Sequence, residues 1–225
     1  MNELPLFRRT LKKVHPEGIP LVGTWLYNRL STGSAFQRHY EMVARDICTY
    51  PVFTSLLDVG TGPGWLLQKI RGFCPGARLC GLDVSPSMVA KAQANLSGMA
   101  PQPEIVLGTA SDLPFPDESF EMVVSTGSFH HWKEPEKGLE SVFRVLRPGG
   151  YALLYDLMAD TPKSVYQEAA RDFGAFKVLL FWLHAFEEPF YERKAFEELG
   201  RTSPFQGGVT HYEGLFCCLE LKKPE

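Results

Sequence analysis

The run Leu56-Leu57-Asp58-Val59-Gly60-Thr61-Gly62-Pro63-Gly64-Trp65 constrains the fold more than any other part of this chain. Leu56 to Val59 reads as a short buried strand, three glycines follow at alternate positions, and Trp65 to Phe73 reads as a helix. Glycine lets a strand turn tightly into a helix and lets backbone approach a ligand where a side chain would collide.

The same alternation continues along the chain. Arg78 to Leu82 is a second strand ending on Asp83, and Ser85-Pro86 opens a helix to about Leu96, with serine at the cap and proline in the first turn. Glu104 to Leu107 and Phe120 to Ser125 are the third and fourth strands. A helix from about Pro135 to Leu146 stops at Pro148-Gly149-Gly150, and Tyr151 to Tyr155 is the fifth strand. Strands separated by helices imply right-handed crossovers and a doubly wound, mostly parallel α/β sheet. After Asp156 the rhythm changes to about forty residues of helical pattern. Gly208 to Tyr212 and Leu215 to Leu221 then follow as strands, separated by Glu213-Gly214, a hairpin spacing that makes one of them antiparallel. Ahead of the first strand, Trp25 to Leu30 and Phe36 to Tyr50 read as helices, the latter with Phe36, Tyr40, Val43 and Ile47 on one face and Pro51 as its stop.

Composition narrows the class. A chain of 225 residues carries one sizeable core, and 44% apolar with 22% charged residues is ordinary for a globular protein. The net charge of -3 argues against nucleic-acid backbones as partners, because such domains carry a basic excess. Cys48, Cys74, Cys80, Cys217 and Cys218 form no C-x-x-C pair and no metal-like spacing with histidine, so reduced thiols, a cytoplasmic setting and no metal site are expected. The first eighteen residues interleave Arg8, Arg9, Lys12 and Lys13 with apolar residues, unlike a signal peptide. The most apolar window, Phe173 to Phe186, is broken by Lys177 and His184, so no membrane span is expected.

The spacing of the glycines separates two kinds of nucleotide loop. The dinucleotide pattern G-x-G-x-x-G would need glycine at position 65, where this chain has Trp65. Asp83, at the end of the second strand, can accept hydrogen bonds from both hydroxyls of a ribose. Gly108-Thr109-Ala110-Ser111-Asp112-Leu113-Pro114 follows the third strand, where an acid can accept from an adenine amino group.

In this order LLDVGTGPG, LDVSPSMV, ASDLPFPDESFEMVVS, HHW and VLRPGGY, from about Ser55 to Tyr155, the chain resembles the class I S-adenosylmethionine-dependent methyltransferases, particularly the ubiquinone and menaquinone biosynthesis branch. The resemblance implies a Rossmann-like seven-stranded sheet with an antiparallel last strand and a helical cap. It implies S-adenosylmethionine as cofactor and S-adenosylhomocysteine as product. Gly60, Thr61 and Gly62 would border the methionyl part, with Asp58 ordering the loop. Asp83 would hold the ribose, Met88 would pack on adenine, and Asp112 with Leu113 would read the base edge. Val84, Ser111, Ser125 and Thr126 complete the expected cofactor contacts. One domain over 1–225 is expected: an N-terminal helical cap (1–50), a cofactor-binding core (51–158), a helical insertion (159–200) and a terminal hairpin (201–225).

Methyl transfer is a direct displacement, so alignment of acceptor and methyl group is the protein's main task, worth about 7–11 kcal/mol of barrier in ideal geometry. A base is needed only where the acceptor is a weak nucleophile while protonated. His130, in Ser128-Phe129-His130-His131-Trp132 beyond the fourth strand, is the candidate base, and packing inside the loop is the alternative for either histidine. Tyr27, Phe36, Arg38, His39 and Tyr40 belong to the expected N-terminal cover of the pocket. Phe173, Phe176, Phe181, Trp182, Phe186, Phe190 and Tyr191 either line an apolar or aromatic small-molecule acceptor pocket or bury themselves against that cover. Two other functions fit parts of the pattern: a nicotinamide-dependent oxidoreductase, disfavoured by Trp65 and the hairpin, and a non-catalytic S-adenosylmethionine binder.

Overall fold

A computed structural model describes residues 34–175, 178 and 190–225, with side chains from Gln37 onward. Seven strands form one sheet: β1 (Ser55–Val59), β2 (Arg78–Asp83), β3 (Glu104–Leu107), β4 (Phe120–Thr126), β5 (Leu146–Asp156), β6 (Val209–Glu213) and β7 (Phe216–Lys222). Their order is β3-β2-β1-β4-β5-β7-β6. The first five run parallel, and β7 is antiparallel to both β5 and β6. The doubly wound sheet and the terminal hairpin are therefore as expected from the sequence.

Helices cover both faces: α1 (Ser34–Ile47), α2 (Trp65–Phe73), α3 (Pro86–Leu96), α4 (Pro135–Val145), α5 (Lys163–Phe173) and α6 (Arg193–Thr202). Strand periodicity decides which face each side chain meets. Leu57 and Val59 pack with Val123, Leu154, Leu139 of α4 and Phe196 of α6. Leu56 packs oppositely with Val43 of α1, Leu67 of α2, Ala92 of α3 and Tyr155. Burial on both faces is why these strands read as continuous apolar runs rather than alternating ones.

Two boundaries differ from the sequence reading by three residues or more. β5 begins at Leu146, five residues early, because buried Leu146 pairs with Phe120 before the register jumps to Tyr151 opposite Met122. Pro148 and Gly149 (φ +75°) form the irregularity between them. The helix α1 ends at Ile47 and not Tyr50, since the Thr49 hydroxyl and N–H both donate to the Asp46 carbonyl, at 2.7 and 2.9 Å.

The N-terminal helix and the insertion meet. Arg38 donates to the Asp172 carbonyl at 3.3 Å, and its guanidinium lies 5.9 Å from the centre of the Phe173 ring. His39 is buried with its ring 4.3 Å from Phe216 and 5.8 Å from Phe173. Of the expected insertion aromatics, Phe173, Phe190 and Tyr191 are described and all are buried. Phe176, Phe181, Trp182, Phe186, Tyr27, the Trp25 to Leu30 helix and the Phe36 side chain lie outside the described residues. No described helix is long and apolar enough to cross a membrane.

Candidate active site

β1 ends in a loop that its own hydrogen bonds hold open. The N–H groups of Gly60 and Thr61 both donate to the Leu82 carbonyl at the end of β2, at 2.7 and 2.9 Å. Gly60, Gly62 and Gly64 have φ of +78°, +52° and +81°, where side chains are disfavoured. Their surroundings differ. A Cβ at Gly60 would fall 2.1 Å from Ser128 Oγ, and one at Gly64 would meet Leu96 at 2.7 Å. At Gly62 such an atom would meet nothing within 4 Å. Gly60 and Gly64 are thus packing glycines, while Gly62 borders open space.

Asp83 closes the other side of this space. Its carboxylate accepts from the Gly62 N–H at 2.8 Å and from the Ser85 N–H at 2.9 Å. Burial raises its pKa, and the backbone donors of Ser85, Gly62 and Val84 hold part of that rise back. A carboxylate has about four acceptor positions, so at least one remains for a ligand beside the three backbone donors. Asp58 is more deeply buried, and desolvation pushes its pKa to about 7, with the Asp83 charge adding to the rise. Asp58 Oδ1, Thr61 Oγ1 and Thr126 Oγ1 are buried with no hydrogen-bond partner among the described residues.

The segment after β3 is anchored from α4. Arg144 donates to the carbonyls of Leu113 (2.7 Å) and Phe115 (2.8 Å), and the Ser141 hydroxyl donates to the Ser111 carbonyl at 3.0 Å. Asp112 stays exposed, Leu113 is buried, and Met88 is buried on α3. Ser128 ties the ends of β1 and β4 together: its hydroxyl donates to the Val59 carbonyl at 3.1 Å and lies 2.9 Å from Ser125 Oγ.

Beyond β4, Phe129–His131 make a single 3-10 turn. His130 is buried against Asp156, the last residue of β5. Its N–H donates to Asp156 Oδ2 at 2.8 Å, and Nδ1 lies 3.0 and 2.9 Å from the two carboxylate oxygens. The Leu157 N–H also donates to Asp156, at 2.8 Å. The Phe190 ring, from the insertion, lies 4.3 Å from the His130 ring and is tilted to it by 53°.

The fold thus brings Asp58, Gly60, Thr61, Gly62, Asp83 and Val84 to the carboxyl ends of β1 and β2, with Ser125 and Thr126 at the end of β4. Three residues were missed by sequence reading: Asp156, Ser128 as the tie, and Arg144 as the loop anchor. Asp156 had a signal, since it is an acid at the end of a parallel strand, as Asp83 is.

Residues 57–154 match the family described as methyltransferase domain. A chloroplastic 2-methyl-6-phytyl-1,4-hydroquinone methyltransferase of Oryza sativa is 36% identical over 101 residues, which are 44% of this chain and 29% of that protein. The chain thus matches under a third of that longer relative. A demethylmenaquinone methyltransferase of Thermus thermophilus is 28% identical over 73% of this chain and 81% of its own. A crystal structure described as that of a putative S-adenosyl-L-methionine-dependent methyltransferase from Methanococcus maripaludis superposes with a TM-score of 0.68 at 18% identity, covering 94% of this chain and 96% of that one, which establishes the shared fold.

Sheet order, glycine loop and sequence similarity agree: residues 57–154 match a methyltransferase domain and carry the fold of the superposed Methanococcus maripaludis protein. Within that class the chain is similar to the enzymes of quinone biosynthesis. These similarities favour a methyltransferase over the nicotinamide-dependent alternative.

Proposed function

We propose that the chain transfers a methyl group from S-adenosylmethionine to a small, apolar or aromatic acceptor at the carboxyl edge of β1, β2, β4 and β5. One observation carries this reading: among the described residues, buried Asp58 Oδ1, Thr61 Oγ1 and Thr126 Oγ1 lack partners at the sheet edge where Gly62 faces open space. Each such atom costs about 1–3 kcal/mol when left unsatisfied, and a ligand bearing an ammonium and hydroxyl groups relieves that cost. In this reading Gly60, Thr61 and Gly62 border the methionyl part, and Asp58 faces its ammonium. Asp83 takes the ribose hydroxyls with Val84 alongside, Met88 supports the adenine, and Ser111, Asp112 and Leu113 read its edge. Ser125 and Thr126 complete the wall. When bound, the cofactor supplies an electrophilic methyl group on a sulfonium sulfur.

His130 is the proposed base. Asp156 holds the Nδ1–H, which leaves Nε2 with a free lone pair to take the proton of an acceptor hydroxyl as the new bond to carbon forms. The apolar character of the acceptor is supported by Phe190 and Tyr191 beside the 3-10 turn, and by relatives named for a phytyl hydroquinone and for demethylmenaquinone. The chain works as one unit over 1–225, with the sheet for the cofactor and the cap for the acceptor, in the cytoplasm, and with no nucleic-acid partner given its net charge of -3. Incubation with methyl-labelled S-adenosylmethionine and fractionated small metabolites tests this. Label should enter a low-mass product in a protein-dependent way. Label in macromolecules alone, or no transfer from any fraction, would overturn the proposal.

Two binding predictions follow from the acids. Asp83→Ala is expected to weaken S-adenosylmethionine by about 1.5–3 kcal/mol, roughly 10- to 150-fold, the range for hydrogen bonds to a charged group. Calorimetry on the folded variant checks it, and an unchanged dissociation constant would remove Asp83 from the site. Asp58 supplies a pH signature. Its folded pKa of about 7 lies above the ordinary 3.8, so between these values the native state holds a proton that the unfolded chain has lost. Asp58 therefore makes the cofactor-free protein less stable as pH rises from 3.8 towards about 7, and Asp58→Asn should flatten that slope in denaturant titrations. An ammonium beside Asp58 draws its pKa down, so cofactor binding near pH 6 should release a proton, detectable as buffer-dependent heat. An equal release by Asp58→Asn would contradict this.

A further inference from the structure

We propose that Asp46, His211 and Cys218 form a binding site for a divalent transition cation of the zinc type, where the end of α1 meets the β5–β7–β6 side of the sheet. Cys218 on β7 stands in register with Tyr155 on β5 and with His211 on β6, so the three residues make one row across adjacent strands. Asp46 comes from the last turn of α1. Its Oδ2 accepts from the Tyr155 hydroxyl at 2.7 Å and lies 2.9 Å from His211 Nε2. One ligand atom from each of Asp46, His211 and Cys218 lies within 4.8 Å of the other two.

The donor set selects the ion. One sulfur, one imidazole nitrogen and one carboxylate oxygen suit zinc or cobalt, whereas magnesium and calcium take oxygen alone. Tetrahedral bonds of about 2.0–2.3 Å require these side chains to draw inward by small rotations. The Tyr155 hydroxyl on Asp46 is the kind of outer hydrogen bond that orients a ligating carboxylate. Charge around the cluster favours a cation: the Asp46 and Glu220 carboxylates act on Cys218, and Asp46 acts on Glu213, with His211 the opposing base. Desolvation, with those carboxylates, holds the Cys218 thiol well above its usual range. The incoming cation displaces the thiol proton to solvent, forming a metal–sulfur bond, and takes the His211 Nε2 lone pair once the proton that Nε2 donates to Asp46 Oδ2 has moved to Nδ1. The expectation of no metal site rested on sequence spacing, and Asp46 and His211 lie 165 positions apart, so only the fold unites them. The site is independent of methyl transfer and would clamp α1 to the terminal hairpin.

The test is a cobalt titration of the full chain after treatment with a chelator. A thiolate-to-cobalt charge-transfer band should saturate at one equivalent, zinc should abolish it by displacement, and zinc should raise the thermal midpoint. Cys48 and Cys74, with sulfurs 3.2 Å apart, are a second thiol pair, so the titration is repeated in Cys48→Ser/Cys74→Ser. The band should persist there, vanish in Cys218→Ser, and need about tenfold more cobalt or more in His211→Gln. Absence of the band in the wild type, its persistence in Cys218→Ser, or its loss with Cys48 and Cys74 would overturn the proposal. Should Cys218→Ser fail to fold, the half-buried His211 decides: unchanged cobalt affinity in His211→Gln contradicts the site.

Discussion

Gly60→Ala is expected to destabilise the protein by about 2–6 kcal/mol, combining strained backbone and overpacking terms of about 1–3 kcal/mol each. The φ of +78° at this position disfavours any side chain, and the added Cβ would fall 2.1 Å from Ser128 Oγ. Ser128 cannot retreat freely, because its hydroxyl links the Val59 carbonyl to Ser125. A domain with a total stability of about 5–15 kcal/mol should lose most of it or unfold. Gly62→Ala is the matched control. Its φ of +52° brings the backbone strain of about 1–3 kcal/mol but no overpacking, because its Cβ meets nothing in the protein, so the fold should survive with the smaller loss while cofactor affinity falls, since the methyl enters the space assigned to the ligand. Denaturant unfolding and calorimetry on both variants check this. Equal stability losses, or unimpaired binding by a folded Gly62→Ala, would contradict the division between packing and ligand-facing glycines.

His130→Ala is expected to reduce turnover of an identified acceptor by about 10²–10⁴-fold, the usual contribution of a positioned base, with little change in cofactor affinity. Asp156→Asn should act through His130: it retains a side-chain acceptor but removes the charge that supports an imidazolium. The burial of both residues, with Asp156 also accepting the His130 and Leu157 N–H groups, makes a structural role the competing explanation. The pH profile separates them. A base role predicts that the acidic limb of the turnover profile disappears in His130→Ala, with residual turnover rising in proportion to an acceptor's own acidity. A structural role predicts lower stability and an unshifted profile.

The proposed cofactor side of this site is legible in the sequence because its signals are local. A strand, three glycines and a helix fall within nineteen consecutive residues, and Asp83 ends the next strand in full view of the pattern. The His130–Asp156 pair was half legible: the histidine stood in a marked run, but its partner is 26 residues away on another strand and meets it only through the β4–β5 pairing. Arg144 was invisible for a similar reason, since an arginine on an amphipathic helix ordinarily faces water, and only the fold turns it to the carbonyls of Leu113 and Phe115. The early start of β5 was hidden by Pro148-Gly149-Gly150, which reads as a loop until Leu146 is seen buried against Phe120. The insertion aromatics carried two readings, and the three described ones, Phe173, Phe190 and Tyr191, are buried. Phe190 nevertheless abuts His130, so packing and proximity to the site coincide there.

Calorimetric titration of the full chain with S-adenosylmethionine, S-adenosylhomocysteine and NAD tests the central claim most directly. The glycine spacing, the open face of Gly62 and the unsatisfied oxygens of Asp58 and Thr61 predict one-to-one binding of the first two in the micromolar range, about -8 kcal/mol, with NAD far weaker. Tighter binding of NAD than of either methionine derivative would contradict the account.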